Sequence, residues 1–272
     1  MKSQYSFVIL CLVFGILSGA CHKAPPRVAT EGGVRNAAAI LVERSLKESE
    51  DRVKTLRGLA KAILTDKDEE RHADVALVIV RPDHVRVDAF DNLADVWAAA
   101  GSDGSRLWLW LPQKHKLYQG SATARNMKRL ADFDWELSEV TSIAAGLIPD
   151  ARQAELVQIP GGEKGRYSFR DRPMHIWVDP KKRRPLRLVR YYLPQKDDES
   201  SAISEEVQYE VSFSDYRVVG DVEFPHKIDV TFPGRSCSLS LYYRDVEFNA
   251  EIKASLFKPE DVWQGKRVEM DK

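Results

Sequence analysis

Net charge is the first thing this 272-residue chain lacks: its 41 Lys and Arg are balanced by 41 Asp and Glu. A general nucleic-acid binder needs a basic surplus to neutralise phosphates, so DNA and RNA are set aside as partners. Cysteine is scarce, and three in the whole chain cannot build a disulfide framework. Catalytic signatures are missing as well, with no CxxC, HExxH, P-loop or GxSxG. Ser255-Leu256-Phe257-Lys258 satisfies SxxK, but a chain of this composition yields about one such match by chance, and the companion motifs are absent. The six His are scattered, and no two share the close spacing of a local metal site. These absences predict neither an enzyme nor a metal or cofactor protein. Aromatics are not lacking: six Trp, ten Phe and nine Tyr exclude disorder and supply a sizeable core.

One long apolar run is present, at the start. Lys2 gives a positive n-region, Phe7 to Leu17 is uninterrupted and apolar, and Ser18-Gly19-Ala20-Cys21 follows. The run is short for a membrane-spanning helix and fits a signal peptide. Leu17-Ser18-Gly19-Ala20-Cys21 resembles a bacterial lipobox, with Leu four residues before the Cys rather than three. The reading divides the chain into a signal peptide (1–20), a tether after lipidated Cys21 (21–34) and one domain (35–272). Acyl chains on Cys21 would hold the protein at a membrane. His22 rather than Asp after the Cys resembles the sorting signal for the outer membrane. Cys237 then stays alone in an apolar strand, as a buried, inert thiol.

The body reads as β-rich. Asn36 to Glu50 is a helix with Ala38, Leu41, Val42 and Leu46 on one face. From Val53 to Leu64 the even positions Leu56, Gly58, Ala60, Ala62 and Leu64 are small or apolar, a strand whose inner face leaves room for something. A hairpin follows, Ala73 to Arg81 and His84 to Phe90. A two-residue Pro82-Asp83 turn would pair Val78 with Val87 and Val80 with Val85, making one apolar face. A second hairpin turns at Asp103-Gly104, which would place Trp97 opposite Trp110 and Ala99 opposite Trp108. Both its faces are apolar, so both should be covered. Trp135 to Leu147 has helical spacing, started by Asp134 and ended by Gly146 and Pro149. With the strands of the second half the count reaches about ten or eleven, a curved antiparallel sheet or barrel.

The hairpins carry a family likeness. Arg81-Pro82-Asp83-His84-Val85, followed by Ser102-Asp103-Gly104-Ser105-Arg106-Leu107-Trp108-Leu109-Trp110-Leu111-Pro112, resembles the LolA/LolB lipoprotein carrier and receptor family. The likeness implies a mainly β fold, an unclosed antiparallel β-barrel of about 10–11 strands with an α-helical lid over a hydrophobic cavity. It implies a protein that binds acyl chains of lipoproteins or lipids and takes part in lipoprotein localisation. Its partners would be an acylated lipoprotein or lipid and a periplasmic LolA-like carrier. The anchor at Cys21 favours the receptor, LolB, at the outer membrane of a Gram-negative envelope, facing the periplasm. An adaptor lipoprotein of the same fold, its cavity filled by side chains, is the alternative.

Residue roles follow from the likeness. Leu56, Val78, Val80, Val85, Val87, Trp108 and Trp110 are expected to line the cavity, with core packing the other reading of the two Trp. Arg81 stands where the carrier has an Arg that latches the lid. Leu93, in Asp91-Asn92-Leu93-Ala94-Asp95, resembles the exposed Leu of the receptor loop that enters the membrane. Lys181-Lys182-Arg183-Arg184 between Pro180 and Pro185 reads as a solvated hairpin tip or as a contact for anionic headgroups.

Overall fold

The computed structural model describes residues 34–67, 69–91, 93–131, 135–153, 155–159, 165–170, 172–192, 206–260, 263 and 265–271. Cys21, the signal segment, nearly all of the tether and Asp134 lie outside the described residues.

The first hairpins set the architecture: β1 (Thr55–Asp66), β2 (Glu69–Val80), β3 (His84–Phe90), β4 (Val96–Asp103), β5 (Arg106–Leu111) and β6 (Lys116–Ser121) pair each with the next. The second half repeats the plan with β7 (Leu156–Gln158), β8 (Arg166–Phe169), β9 (Met174–Val178), β10 (Pro185–Tyr191), β11 (Val207–Val219), β12 (Val222–Phe232) and β13 (Cys237–Phe248). Antiparallel pairing of β1 with β13 joins the halves, and β14 (Lys266–Glu269) adds to β6 in parallel. The result is one 14-stranded sheet with β14 and β7 at its edges. It curls around a core without closing into a barrel.

Eleven of these strands follow from the alternation in the sequence. The other three are β6, β7 and β14, each too short or too polar to stand out. Helix α1 (Ala37–Arg52) begins where the Asn36 side chain accepts the Ala39 N–H at 3.0 Å, and it buries Ala39, Val42 and Leu46. Helix α2 (Ala124–Ala131) was not evident in the sequence, and α3 (Leu137–Ala144) is the expected mid-chain helix. Past α3, Gly146 takes φ +71°, and a Cβ there would sit 2.6 Å from Pro225. Only glycine fits both demands.

Two registers differ from expectation, with opposite consequences. The β2–β3 loop has three residues, Arg81, Pro82 and Asp83, so Leu77 pairs with Val87 and Ile79 with Val85. A slip of one residue exchanges the faces. Ala73, Val75, Leu77 and Ile79 point inward, and Val78 and Val80 lie on the other side. The β4–β5 turn shifts the pairing by two, placing Ala99 opposite Trp110 and Gly101 opposite Trp108. Side chains repeat every two residues, so this slip leaves Trp108 and Trp110 together on one face, but Trp97, expected beside them, is turned to the other side by a bulge in β4.

Candidate functional site

Under the helices lies a cavity of about 290 Å³. Every residue that lines it is apolar, and none of the side chains ionises. Its wall comes from one end of the central strands: Ala62 and Leu64 of β1, Ala73, Val75 and Leu77 of β2, Ile228, Val230 and Phe232 of β12, and Leu239 and Leu241 of β13. Ala98, Ala100, Leu107 and Leu109 continue the wall across β4 and β5. A bulge opposite Ala89 and Phe90 breaks the alternation of β4, and Trp97 borders the cavity together with Ala98. The cover is formed by Met127 and Leu130 of α2, Trp135, and Leu137, Val140, Ile143 and Ala144 of α3.

At the opposite end the same inner face is solid. Leu56 is fully buried there and does not reach the cavity. Gly58 leaves room for Tyr243, whose ring would lie 3.0 Å from a Cβ at that position. The Tyr243 hydroxyl donates to the Ala144 carbonyl at 2.7 Å, and Phe224 packs edge-on against the ring at 5.0 Å. The space read from the small residues of β1 is therefore used twice: by a tyrosine at Gly58 and by the cavity at Ala62.

Three residues of the cover, Thr141, Glu139 and Trp135, fasten it besides the Tyr243 bond. Thr141 Oγ1 donates to the Pro82 carbonyl. Glu139, buried on α3, accepts the Tyr209 hydroxyl at 3.1 Å and faces Arg190 Nη1 at 3.2 Å. Burial pushes the Glu139 carboxyl above its ordinary range, and the Arg190 guanidinium opposes that rise. Trp135 packs against Tyr209 at 4.9 Å and Phe232 at 5.4 Å.

Of the residues expected to line the cavity, Val85, Val87 and Trp108 border it, although the Trp108 ring itself packs on the outer face with Trp110 and Trp263. Leu56, Val78, Val80 and Trp110 do not. Leu56 belongs to the packed end, the two valines are turned away by the three-residue loop, and Trp110 faces outward. There Trp110 stacks on Trp263 with ring centres 5.9 Å apart, and Trp108 Nε1 donates to the Phe257 carbonyl at 2.7 Å. The segment carrying Phe257 and Trp263 thus covers the outer face of β4 and β5, and the SxxK match at Ser255–Lys258 is part of that cover.

Arg81 latches a different helix from the one expected. Its guanidinium donates to the Glu50 and Val53 carbonyls at 3.0 and 3.1 Å and to Glu50 Oε1 at 2.7 Å. It ties β2 to the carboxyl end of α1, which does not touch the cavity; α3 is held by Pro82 beside it. Leu93 is 82% exposed, in a loop where Asp91 Oδ1 accepts the N–H groups of Leu93 and Asp95 at 2.8 and 3.0 Å. Cys237 is buried, and desolvation pushes its thiol up to about 11. No helix among the described residues is long and apolar enough to cross a membrane.

Sequence reasoning missed Met127 and Leu130, two apolar residues in an otherwise polar α2, and the C-terminal Trp263. The i, i+3 spacing of Met127 and Leu130 between polar residues is the signal that could have found a short amphipathic helix; nothing local marks Trp263 as a partner of the hairpins.

No family model matches this sequence, and no curated protein matches it. Solved structures do. A LolA superfamily protein from Nitrosomonas europaea is similar over 81% of this chain and 97% of its own, at 12% identity and a TM-score of 0.51. A DUF1329 family protein from Desulfovibrio piger is similar over 82% of this chain and 96% of its own, at 11% identity and a TM-score of 0.56. A structure from Vibrio parahaemolyticus described as an outer membrane lipoprotein-sorting protein domain is similar over 80% and 97%, at 14% identity and a TM-score of 0.54. At these identities the likeness is one of architecture, and it gives this chain the unclosed β-barrel fold of the LolA superfamily structures.

Proposed function

We propose that this chain is an envelope lipoprotein that receives the acyl chains of a lipoprotein or lipid in its cavity and takes part in lipoprotein localisation. The observation that carries this reading is the wholly apolar lining of a 290 Å³ space beneath a helical cover. Such a space offers no group for acid–base chemistry but does offer an acyl chain a place out of water, at roughly 0.8 kcal/mol per buried methylene. The open volume argues against an adaptor whose own side chains fill the barrel.

In this reading Cys21 carries the lipid anchor at the outer membrane of a Gram-negative cell, and a periplasmic LolA-like carrier is the donor. Leu93 supports a receptor role. Its loop follows β3 at the same end of the sheet as the cavity-lining halves of β1, β2, β12 and β13. An apolar side chain held out by Asp91 at that end is suited to touch the bilayer beside the cavity.

Native mass spectrometry of the full chain, extracted in a mild neutral detergent, tests the binding claim. The wild type is expected to carry acylated ligand, and Ala62→Phe combined with Ala100→Phe to lose it while still folded. A ligand-free wild type would refute the proposal.

A further inference from the structure

At the end of the sheet away from Leu93 lies a second, smaller space of about 160 Å³, lined by charged as well as apolar side chains. It sits between the carboxyl end of α1, the residues following α3, and the β9–β10 and β11–β12 turns. Four cations line it, Arg52, Lys182, Arg183 and Arg184, against two carboxylates, Glu48 and Glu223. Glu223 is already shared by Lys182 Nζ, at 3.2 Å, and Arg184 Nη1. The guanidinium groups of Arg52 and Arg183 make no hydrogen bond or ion pair among the described residues. Arg184 is held in place by the Tyr216 ring, 4.2 Å from its guanidinium carbon, and its Nε–H is buried without a hydrogen-bond partner.

Carboxyl ends of helices repel anions, and α1 ends here. Several carbonyls at that end are already occupied, however. Arg81 takes those of Glu50 and Val53, and Asn249 Nδ2 takes that of Arg52 at 2.7 Å. The Ala144 carbonyl of α3 is taken by Tyr243. These partners already offset part of the helix-end charge, and four cations against two carboxylates leave the lining of the space with a positive surplus. The β9–β10 turn is also preorganised: Asp179 Oδ1 accepts the N–H groups of Lys181 and Lys182 at 2.8 and 3.0 Å.

We infer that this cleft binds a phosphate group, with Arg52 and Arg183 as the two arms that close on it. Planar guanidinium forks match phosphate oxygens bidentately, and Arg52 and Arg183, from two different elements, both line this small space. The group is either a free phosphate or the phosphate of a lipid headgroup. The inference does not depend on what the apolar cavity holds, because Tyr243 and Phe224 fill the space between the two.

Calorimetric titration of the full chain in neutral detergent micelles tests it. One arm adds inorganic phosphate at constant ionic strength, and the other adds micelles doped with phosphatidylglycerol. Each arm is repeated with Arg52→Glu/Arg183→Glu, two exposed positions whose exchange leaves the core intact, and with Lys67→Glu at the other end of the sheet. Binding of at least one probe, weakened tenfold or more by the double exchange and unchanged by Lys67→Glu, supports the site; the probe that binds identifies the source. Binding of neither probe, or binding indifferent to Arg52 and Arg183, overturns it.

Discussion

Strand β1 carries one inward stripe of small side chains, and the two halves of that stripe end differently. Beside Gly58 the space is taken by a tyrosine ring with its hydroxyl tied to α3; beside Ala62 it is left empty and apolar. The stripe alone is therefore not a cavity signal. What matters is the residue on the neighbouring strand: Tyr243 of β13 pairs with Ala60, whereas Leu241 pairs with Ala62. A small residue opposite a long aromatic makes a close-packed layer, and a small residue opposite an aliphatic one leaves a gap.

Exchanges at the two halves should separate these roles. Tyr243→Ala removes the plug and is expected to cost about 3–5 kcal/mol in urea unfolding, since the void cannot be refilled from strands already paired on both sides. It should also enlarge the cavity and raise the length of acyl chain retained in mass spectrometry. A loss below about 1 kcal/mol would mean that this end is no more tightly packed than the other. Gly58→Ala is expected to cost about 1–3 kcal/mol, because its Cβ would press on the Tyr243 ring at 3.0 Å and on Leu56 at 3.3 Å. Ala62→Leu should change stability by less than about 1 kcal/mol while diminishing ligand capacity, because the added methylenes enter open space. If Ala62→Leu proves as costly as Gly58→Ala, the cavity is not open in solution.

Much of the architecture was readable because the inner faces alternate cleanly. On β4 and β5 the pairing differs from the expected one by two residues, so Trp108 and Trp110 stay on the face expected of them, while the β4 bulge takes Trp97 off it. The valine face of β2 and β3 did not, since one extra loop residue exchanges inside for outside. That single residue explains why Val78 and Val80 were expected in the cavity and Leu77 was not. Strand β14, Lys266-Arg267-Val268-Glu269, has nearly no apolar content of its own and exists because β6 offers an unpaired edge. Helix α2 is only eight residues long and mostly polar; its apolar edge, Met127 and Leu130, is half-buried, and only its position over the cavity shows what that edge is for. Arg81 was legible as a structural anchor but not as to its partner. The family likeness suggested the cavity cover, and the three carbonyl and carboxylate contacts go to α1.

The sheet order has a consequence for how the molecule comes into being. Each half is built from neighbours along the chain, but the β1–β13 seam unites residues nearly the whole domain apart; the Lys54 N–H meets Asn249 Oδ1 across 195 positions. A chain made from its amino end must keep the outer edge of β1 unsatisfied until almost the last strand has been synthesised. Such a delay slows folding and leaves a sticky border exposed in the interim. Handling of the newborn polypeptide, rather than the endurance of the finished one, is therefore where this architecture is most vulnerable.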